Sequence, residues 1–490
     1  MDEASVLLRV KRGRPKSYKV AWQSMKVVLI NPPQFTTYSQ PPMGLALMAA
    51  VLEKEGYQVT ILDANALRLK PMDIARYVID VNVVGLTAMT PTIGAAISIA
   101  RYLKQADPNL TIILGGAHAT LLPEETLAAA PEIEVIVRGE GEQTIVDLLP
   151  ALEHKRPLDN IPGISYRRDG RVVNNPTRST NVDLDFLPFL AYHLLQWQRY
   201  KPHPPHGRAH PFTAVITSRG CPYQCSYCSK PIFGSKFRAQ APERVVEEVA
   251  YYQERFGIRE IAFYDDVFTL NKKRAYAIAD QIIKAGVKIH WTCETRVNLV
   301  DKELLHHMKQ AGCYAIAYGI ESASQDILDM LNKDITLEQV EEAVGMTQEV
   351  GLQTIGYFML GSPGESPETI SKTIQFAKGL KLDFAQFSVT TPLPGTRLYE
   401  LYLDSKKVDS IPWESFIYAG VGRQLTPIFE SNGLSRDELQ SWVGRAYKEF
   451  YLRPSYLWQR IRQITSIGDL KSNVKGTFML SSMMRSLKRR

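Results

Sequence analysis

Three of the chain's five cysteines, Cys221, Cys225 and Cys228, fall within the stretch CPYQCSYC. An odd, clustered set argues for a metal centre rather than disulfides. A zinc site takes four ligands in a tetrahedral array, commonly as two C-x-x-C pairs. The other two cysteines, Cys293 and Cys313, lie far off on expected strand positions. Three thiolates at C-x3-C-x2-C spacing suit instead a cubane iron–sulfur cluster with one iron open to a non-protein ligand. Such a cluster can bind and reduce a substrate, not merely pass electrons. Polar residues elsewhere extend the candidate set. FYDDVFT (263–269) places Asp265 and Asp266 in a turn, where they either serve a site or cap a helix. Glu294 and Arg296 stand two apart at the end of an expected strand, on one face by its period of two. Arg296 there is a bidentate fork for a carboxylate or a member of a structural ion pair.

The elements that must position these residues are legible as apolar runs. KVVLI (26–30), YQVTILD (57–63), VNVVGLT (81–87), TIILGG (111–116) and VIVRGE (135–140) alternate with segments of helical spacing. That pattern predicts a doubly wound α/β domain over 25–155, with ligands bound at the carboxyl ends of its strands. A linker over 156–210 carries a small hairpin turning at Asp169-Gly170, then a Pro-stiffened stretch containing His203, His206 and His210. A second α/β series over 211–400 has strands expected at 213–218, 260–264, 288–294, 314–319, 353–359 and 384–390, a partial (β/α)6 barrel. Residues 401–490 read as a helical region with a basic tail, and 1–24 as a basic arm.

CPYQCSYC follows the first barrel strand on a loop and resembles the signature of the radical S-adenosylmethionine (SAM) superfamily. The resemblance implies that the three cysteines hold a 4Fe-4S cluster whose open iron is chelated by SAM. One-electron reduction then releases a 5′-deoxyadenosyl radical. YGIES (318–322) resembles the superfamily's fourth strand end, which implies SAM contacts for Glu321 and Ser322, with Gly319 letting the backbone pass close to cofactor. Tyr227, Glu294 and Arg296 join that expected SAM set. Residues 25–155 resemble the cobalamin-binding domain of one large subgroup, through NPP (31–33), QPPMGLALMAAVLEKEGYQV (40–59), LTAMT (86–90), GGAHAT (115–120) and VRGEGEQT (137–144). The implied cobalamin contacts are Gly44, Thr87, Thr90, Gly115, Gly116, His118, Glu140, Gly141 and Thr144. No D-x-H-x-x-G occurs, so cobalamin is expected base-off, with no protein histidine on cobalt.

The resemblance implies an enzyme that methylates an unactivated carbon. Its rivals are a radical SAM cyclase without methyl transfer and a cobalamin sensor or carrier with a structural cluster. A methylthiotransferase fits less well, since two leftover cysteines cannot build a second cluster. The partners expected are an organic substrate and a reductase, flavodoxin or ferredoxin as electron donor. The formal charge of +7 is modest, and its excess sits at the ends. The basic C-terminal tail suggests peripheral contact with anionic headgroups, and with it a lipid substrate. KRGRPK (11–16) is too slight a basic arm to predict nucleic-acid binding. With neither a secretory signal pattern nor a long apolar run, the chain reads as cytoplasmic.

Overall fold

The computed structural model describes residues 25–34, 39–179, 182–200, 207–406, 413, 416 and 433–462. The basic arm 1–24 and the tail beyond Arg462 lie outside the described residues. Two sheets organise the chain. The first runs β2-β1-β3-β4-β5-β6-β7, with β1 Lys26–Asn31, β2 Gln58–Asp63, β3 Val83–Thr87, β4 Thr111–Gly115, β5 Val135–Val137, β6 Ile164–Arg168 and β7 Arg171–Asn174. Its first five strands are parallel. Their residues are buried in near-continuous runs, as a sheet covered by helices on both faces requires.

The hairpin expected in the linker is part of this sheet. β6 pairs antiparallel with β5, through Val135↔Tyr166 and Val137↔Ile164. A three-residue edge strand would otherwise expose unpaired backbone groups, and the hairpin covers them. The stretch after it stitches the two sheets together. The Ala191 N–H donates to Ala46 O at 3.0 Å, Tyr192 Oη to Phe212 O at 2.9 Å, and Tyr200 Oη to Asp63 Oδ2 at 3.0 Å.

The second sheet is parallel, in the order β15-β14-β13-β12-β11-β8. Its strands are β8 Phe212–Val215, β11 Glu260–Phe263, β12 His290–Thr295, β13 Cys313–Glu321, β14 Gln353–Leu360 and β15 Phe384–Val389. A helix follows each of the inner strands, giving the expected partial barrel. Between β8 and β11, a two-residue antiparallel ribbon, β9 Ser218–Arg219 with β10 Arg238–Ala239, closes the base of the cysteine loop. The helix Arg436–Tyr451, followed by a last described helix Pro454–Arg462, starts at a Ser435/Glu438 capping box and packs against β15, where Tyr451 and Tyr447 hydroxyls meet the strand's backbone.

Candidate active site

The cysteine loop is held from three sides. Asp265 accepts hydrogen bonds from Thr217 N and Oγ1 at 2.6 Å and from Ser218 Oγ at 2.7 Å. Asp266 accepts from Gly220 N at 3.1 Å. The two carboxylates therefore fix the strand that delivers Cys221, rather than capping a helix. Gly220 itself has φ +85°, and a Cβ there would stand 2.3 Å from Lys236 O, so no side chain is tolerated. From the second side, the chain after the helix Gln325–Met330 grips the loop. Ser226 N donates to Leu331 O at 2.8 Å and Asn332 Nδ2 to Gln224 O at 2.7 Å. From the third, Leu398 N donates to Ser226 O at 2.9 Å.

At the end of β13, Glu321 adopts φ +67°, a strained left-handed conformation. Its Oε1 accepts from Tyr227 Oη at 2.8 Å and Lys333 Nζ at 2.7 Å, and Lys333 also donates to Tyr227 Oη at 2.9 Å. Lys333 is buried and escaped notice in the sequence. The available signal was a lysine one short helix beyond YGIES, but spacing alone does not say that it turns back. Gly319 makes room for this cluster. A Cβ there would lie 2.6 Å from Glu321 Oε1 and 2.7 Å from Lys333 Nζ. The glycine thus accommodates the protein's own side chains.

Arg296 departs from the expected arrangement. β12 ends at Thr295, so Arg296 leaves the strand and does not share its alternation. It stacks 3.6 Å from the Tyr223 ring centroid, donates to the Lys333 and Asp334 carbonyls, and brings Nη1 to 3.8 Å from Cys225 Sγ. Its fork is occupied by backbone, and its charge faces the Cys225 thiol. Glu294 does stay on the barrel's inner face and accepts from Tyr357 Oη at 3.1 Å. Burial raises its pKa. Ser322 is fully buried, with its hydroxyl 3.3 Å from Thr373 Oγ1 and accepting from Ser324 N at 3.2 Å.

The expected cobalamin residues fall in two groups on the strand ends of the first sheet and the helices that follow them. Gly44 has open space before its Cα, Thr87 and Gly115 end β3 and β4, and Thr90 lies 3.2 Å from His118 Nδ1. Gly116 packs on the Ala88 backbone. His118 is fully buried with the Trp413 ring edge-on at 4.6 Å, and its Nε2 has no hydrogen-bond partner among the described residues. Burial pushes its pKa down to about 4, so the ring is neutral at neutral pH. The second group is committed elsewhere. Thr144 Oγ1 accepts from Arg178 Nε at 2.8 Å, and Gly141 packs on Val137 and Met48. Glu140 pairs with Arg219 and Arg238, beside the cysteine loop. An exposed-looking GEGE motif in sequence is therefore a buried ionic contact in the fold.

Two family models match the chain, the radical SAM superfamily over 215–377 and the B12 binding domain over 36–149. An uncharacterized methyltransferase of Pyrococcus horikoshii is 37% identical over 88% of this chain and 94% of its own length. The anaerobic magnesium-protoporphyrin IX monomethyl ester cyclase of Rubrivivax gelatinosus is 30% identical over 92% of this chain and 83% of its own. The chain belongs to the cobalamin-binding radical SAM family. Among solved structures, the radical SAM methyltransferase TsrM from Kitasatospora setae shares the fold, with a TM-score of 0.66 and 20% identity over 79% of this chain and 78% of that one.

Membership makes the chain a radical SAM enzyme whose cofactors are a 4Fe-4S cluster, SAM and cobalamin, and it implies an organic substrate and a reductant. The residues present fit these groups. Cys221, Cys225 and Cys228 share one loop, the first two half-buried and the third exposed. Cationic iron is what would hold such crowded sulfurs as thiolates. On the cobalamin side, no described atom crowds Gly44, and the buried Nε2 of His118 is unpaired among the described residues, which suits a large ligand with polar edges. Among the described residues no helix is long and apolar enough to cross a membrane.

Proposed function

We propose that this enzyme methylates an unactivated carbon, with SAM and cobalamin serving one active site between the two sheets. The observation that carries the reading is the meeting of the two strand-end rims. Arg219, two residues before Cys221, contacts Glu140 and Glu142 just beyond β5, and Tyr264 Oη reaches Gln40 Oε1 at 3.4 Å. Bound together, the cluster and SAM supply a 5′-deoxyadenosyl radical that takes a substrate hydrogen, and cobalamin supplies the methyl group.

In this reading Cys221, Cys225 and Cys228 hold the cluster. The Lys333 ammonium and the Tyr227 hydroxyl pin the Glu321 carboxylate beside it, ready for the SAM ammonium. Gly44, Thr87, Thr90, Gly115 and His118 border the corrin. His118, buried under Trp413, is not read as a cobalt ligand, in keeping with base-off binding. The electron donor, of flavodoxin, ferredoxin or reductase class, would approach a groove of about 770 Å³ lined by Cys225, Cys228, Lys230 and Arg397. Cys228 is exposed there, so electrons need cross little protein.

Anaerobic reconstitution with iron, sulfide and hydroxocobalamin, then SAM and a strong reductant, tests the reaction. Deoxyadenosine and S-adenosylhomocysteine are expected together. Deoxyadenosine alone would favour cyclisation, the reading suggested by the Rubrivivax relative; neither product would count against both.

The barrel's inner face bears on the substrate. Tyr264, Glu294, Gly319 and Tyr357 remain partly accessible at the strand ends while their neighbours are buried. A carboxylate with two phenols there suits an acceptor bearing a hydroxyl or N–H group. The lipid expectation rested on the basic tail, which lies outside the described residues. Glu294→Gln is expected to raise substrate KM about 10- to 100-fold through loss of a charged hydrogen bond of about 1.5–3 kcal/mol. SAM cleavage should persist. Thermal unfolding offers an independent check. A carboxyl whose folded pKa is raised costs stability once pH exceeds its unfolded value of about 4.3. Glu294→Gln should therefore melt higher at neutral pH, a gain that disappears in acid. An unchanged KM would remove Glu294 from the substrate site.

A further inference from the structure

Arg219 and Arg238 face each other across the ribbon that closes the cysteine loop. Like charges at directly opposed positions weaken such a pair. Their compensation comes from the other sheet. Glu140 Oε2 accepts from Arg219 Nη1 at 2.7 Å and Arg238 Nη1 at 3.1 Å, Glu140 Oε1 from Arg238 Nη2, and Glu142 Oε1 from Arg219 Nη2 at 2.7 Å. Two guanidiniums thus meet two carboxylates. Arg219, Glu140 and Glu142 are at most 8% exposed, so water does not screen them. The Arg219 guanidinium also lies 5.0 Å from the ring of Phe233, inside the loop it closes. On the barrel side, Arg274 donates to the carbonyls of Thr217 and Gln240, the residues flanking the ribbon.

We propose that Glu140 and Glu142 are a latch by which the cobalamin domain holds the cluster loop closed. The closed ribbon needs the acidic pair seated against it, so loop geometry is tied to the docked cobalamin domain. That tie sets how the cluster faces the corrin. Glu140, Glu142, Arg219 and Arg238 are positioning residues and touch neither cofactor. The proposal rests on the reading of Cys221, Cys225 and Cys228 as the cluster ligands.

The test uses the full chain reconstituted with iron, sulfide and hydroxocobalamin, with no substrate. Iron loss to a chelator, the electron paramagnetic resonance spectrum of the reduced cluster and cobalamin retained on gel filtration are measured. In Glu142→Gln, and more strongly in Glu140→Gln, iron loss should accelerate about 10- to 100-fold, as for other supports of metal ligands. The spectrum should shift, and cobalamin should be retained as in the parent. Arg219→Lys should fall between parent and Arg219→Met. Loss of cobalamin with unchanged iron release would make the acidic pair a cobalamin contact and overturn the latch. Unchanged values for all three measurements would overturn it equally. None of these readouts needs a methyl acceptor, so failure of the latch is separable from failure of the methylation reading.

Discussion

Alanine at any one of Cys221, Cys225 or Cys228 should reduce deoxyadenosine formation to background and remove the cluster's visible absorbance. Three thiolates leave one iron for SAM, and a site with two loses both the cluster and the place where SAM is reduced. The effect should be equal at the three positions despite their unequal exposure, because the loop is clamped at its start and its middle. Gly220, Asp266 and the ribbon hold its start, and Leu331 with Leu398 holds Ser226 in its middle. Neighbouring charge should matter by degree. Arg296 presents Nη1 to Cys225 Sγ at 3.8 Å while its Nη2 binds two carbonyls. Arg296→Lys removes the planar fork and keeps the charge, so a loss of about 10- to 100-fold in cluster retention or cleavage is expected. Iron content, absorbance and deoxyadenosine yield check both results. A cysteine variant that still cleaves SAM would refute the ligand assignment.

The second large effect is expected at Gly319. An added methyl group would sit 2.6 Å from Glu321 Oε1 and 2.7 Å from Lys333 Nζ, closer than real Cβ contacts come. Glu321 has little freedom to retreat, being buried at positive φ and bonded to Tyr227 and Lys333. Gly319→Ala should therefore break the carboxylate–ammonium pair and weaken SAM binding, while leaving the cysteine loop able to assemble its cluster. Lys333→Met probes the same cluster from the other side. Removing one partner of a buried ion pair costs about 3–5 kcal/mol, because the remaining charge is left uncompensated. Its melting temperature should fall accordingly. Equilibrium binding of SAM to the reconstituted protein, beside iron content and melting temperature, distinguishes these outcomes. Normal SAM affinity in Gly319→Ala would mean that Glu321 does not face SAM.

Much of this enzyme was legible before any fold was known. The cysteine spacing after an apolar strand, and the alternation of β-branched runs with helical segments, each rest on local periodicity and chain chemistry. Those fix residue type and element type within a few neighbours. The parallel strands of both sheets follow from such local signals, and the order of cobalamin-type and radical-type domains from the motifs' resemblance to a family. The hairpin was recognised, but its membership in the first sheet was not, since β5's need for an edge partner arises only once the sheet exists.

What the tertiary structure decided is which polar groups meet. Glu140 reaches Arg219 across 79 residues and Arg238 across 98, so a motif suited to a cofactor rim turns out to bind the cluster strand. Lys333 turns back 12 residues to Glu321, while Arg296 steps off its strand onto Tyr223 and two carbonyls. Burial then compels the pairing, since a charge withdrawn from water must find a partner wherever the chain crossing supplies one. Sequence therefore determined the metal-binding chemistry and the layers that carry it. The partners of each buried charge were settled only when distant strand ends were brought together.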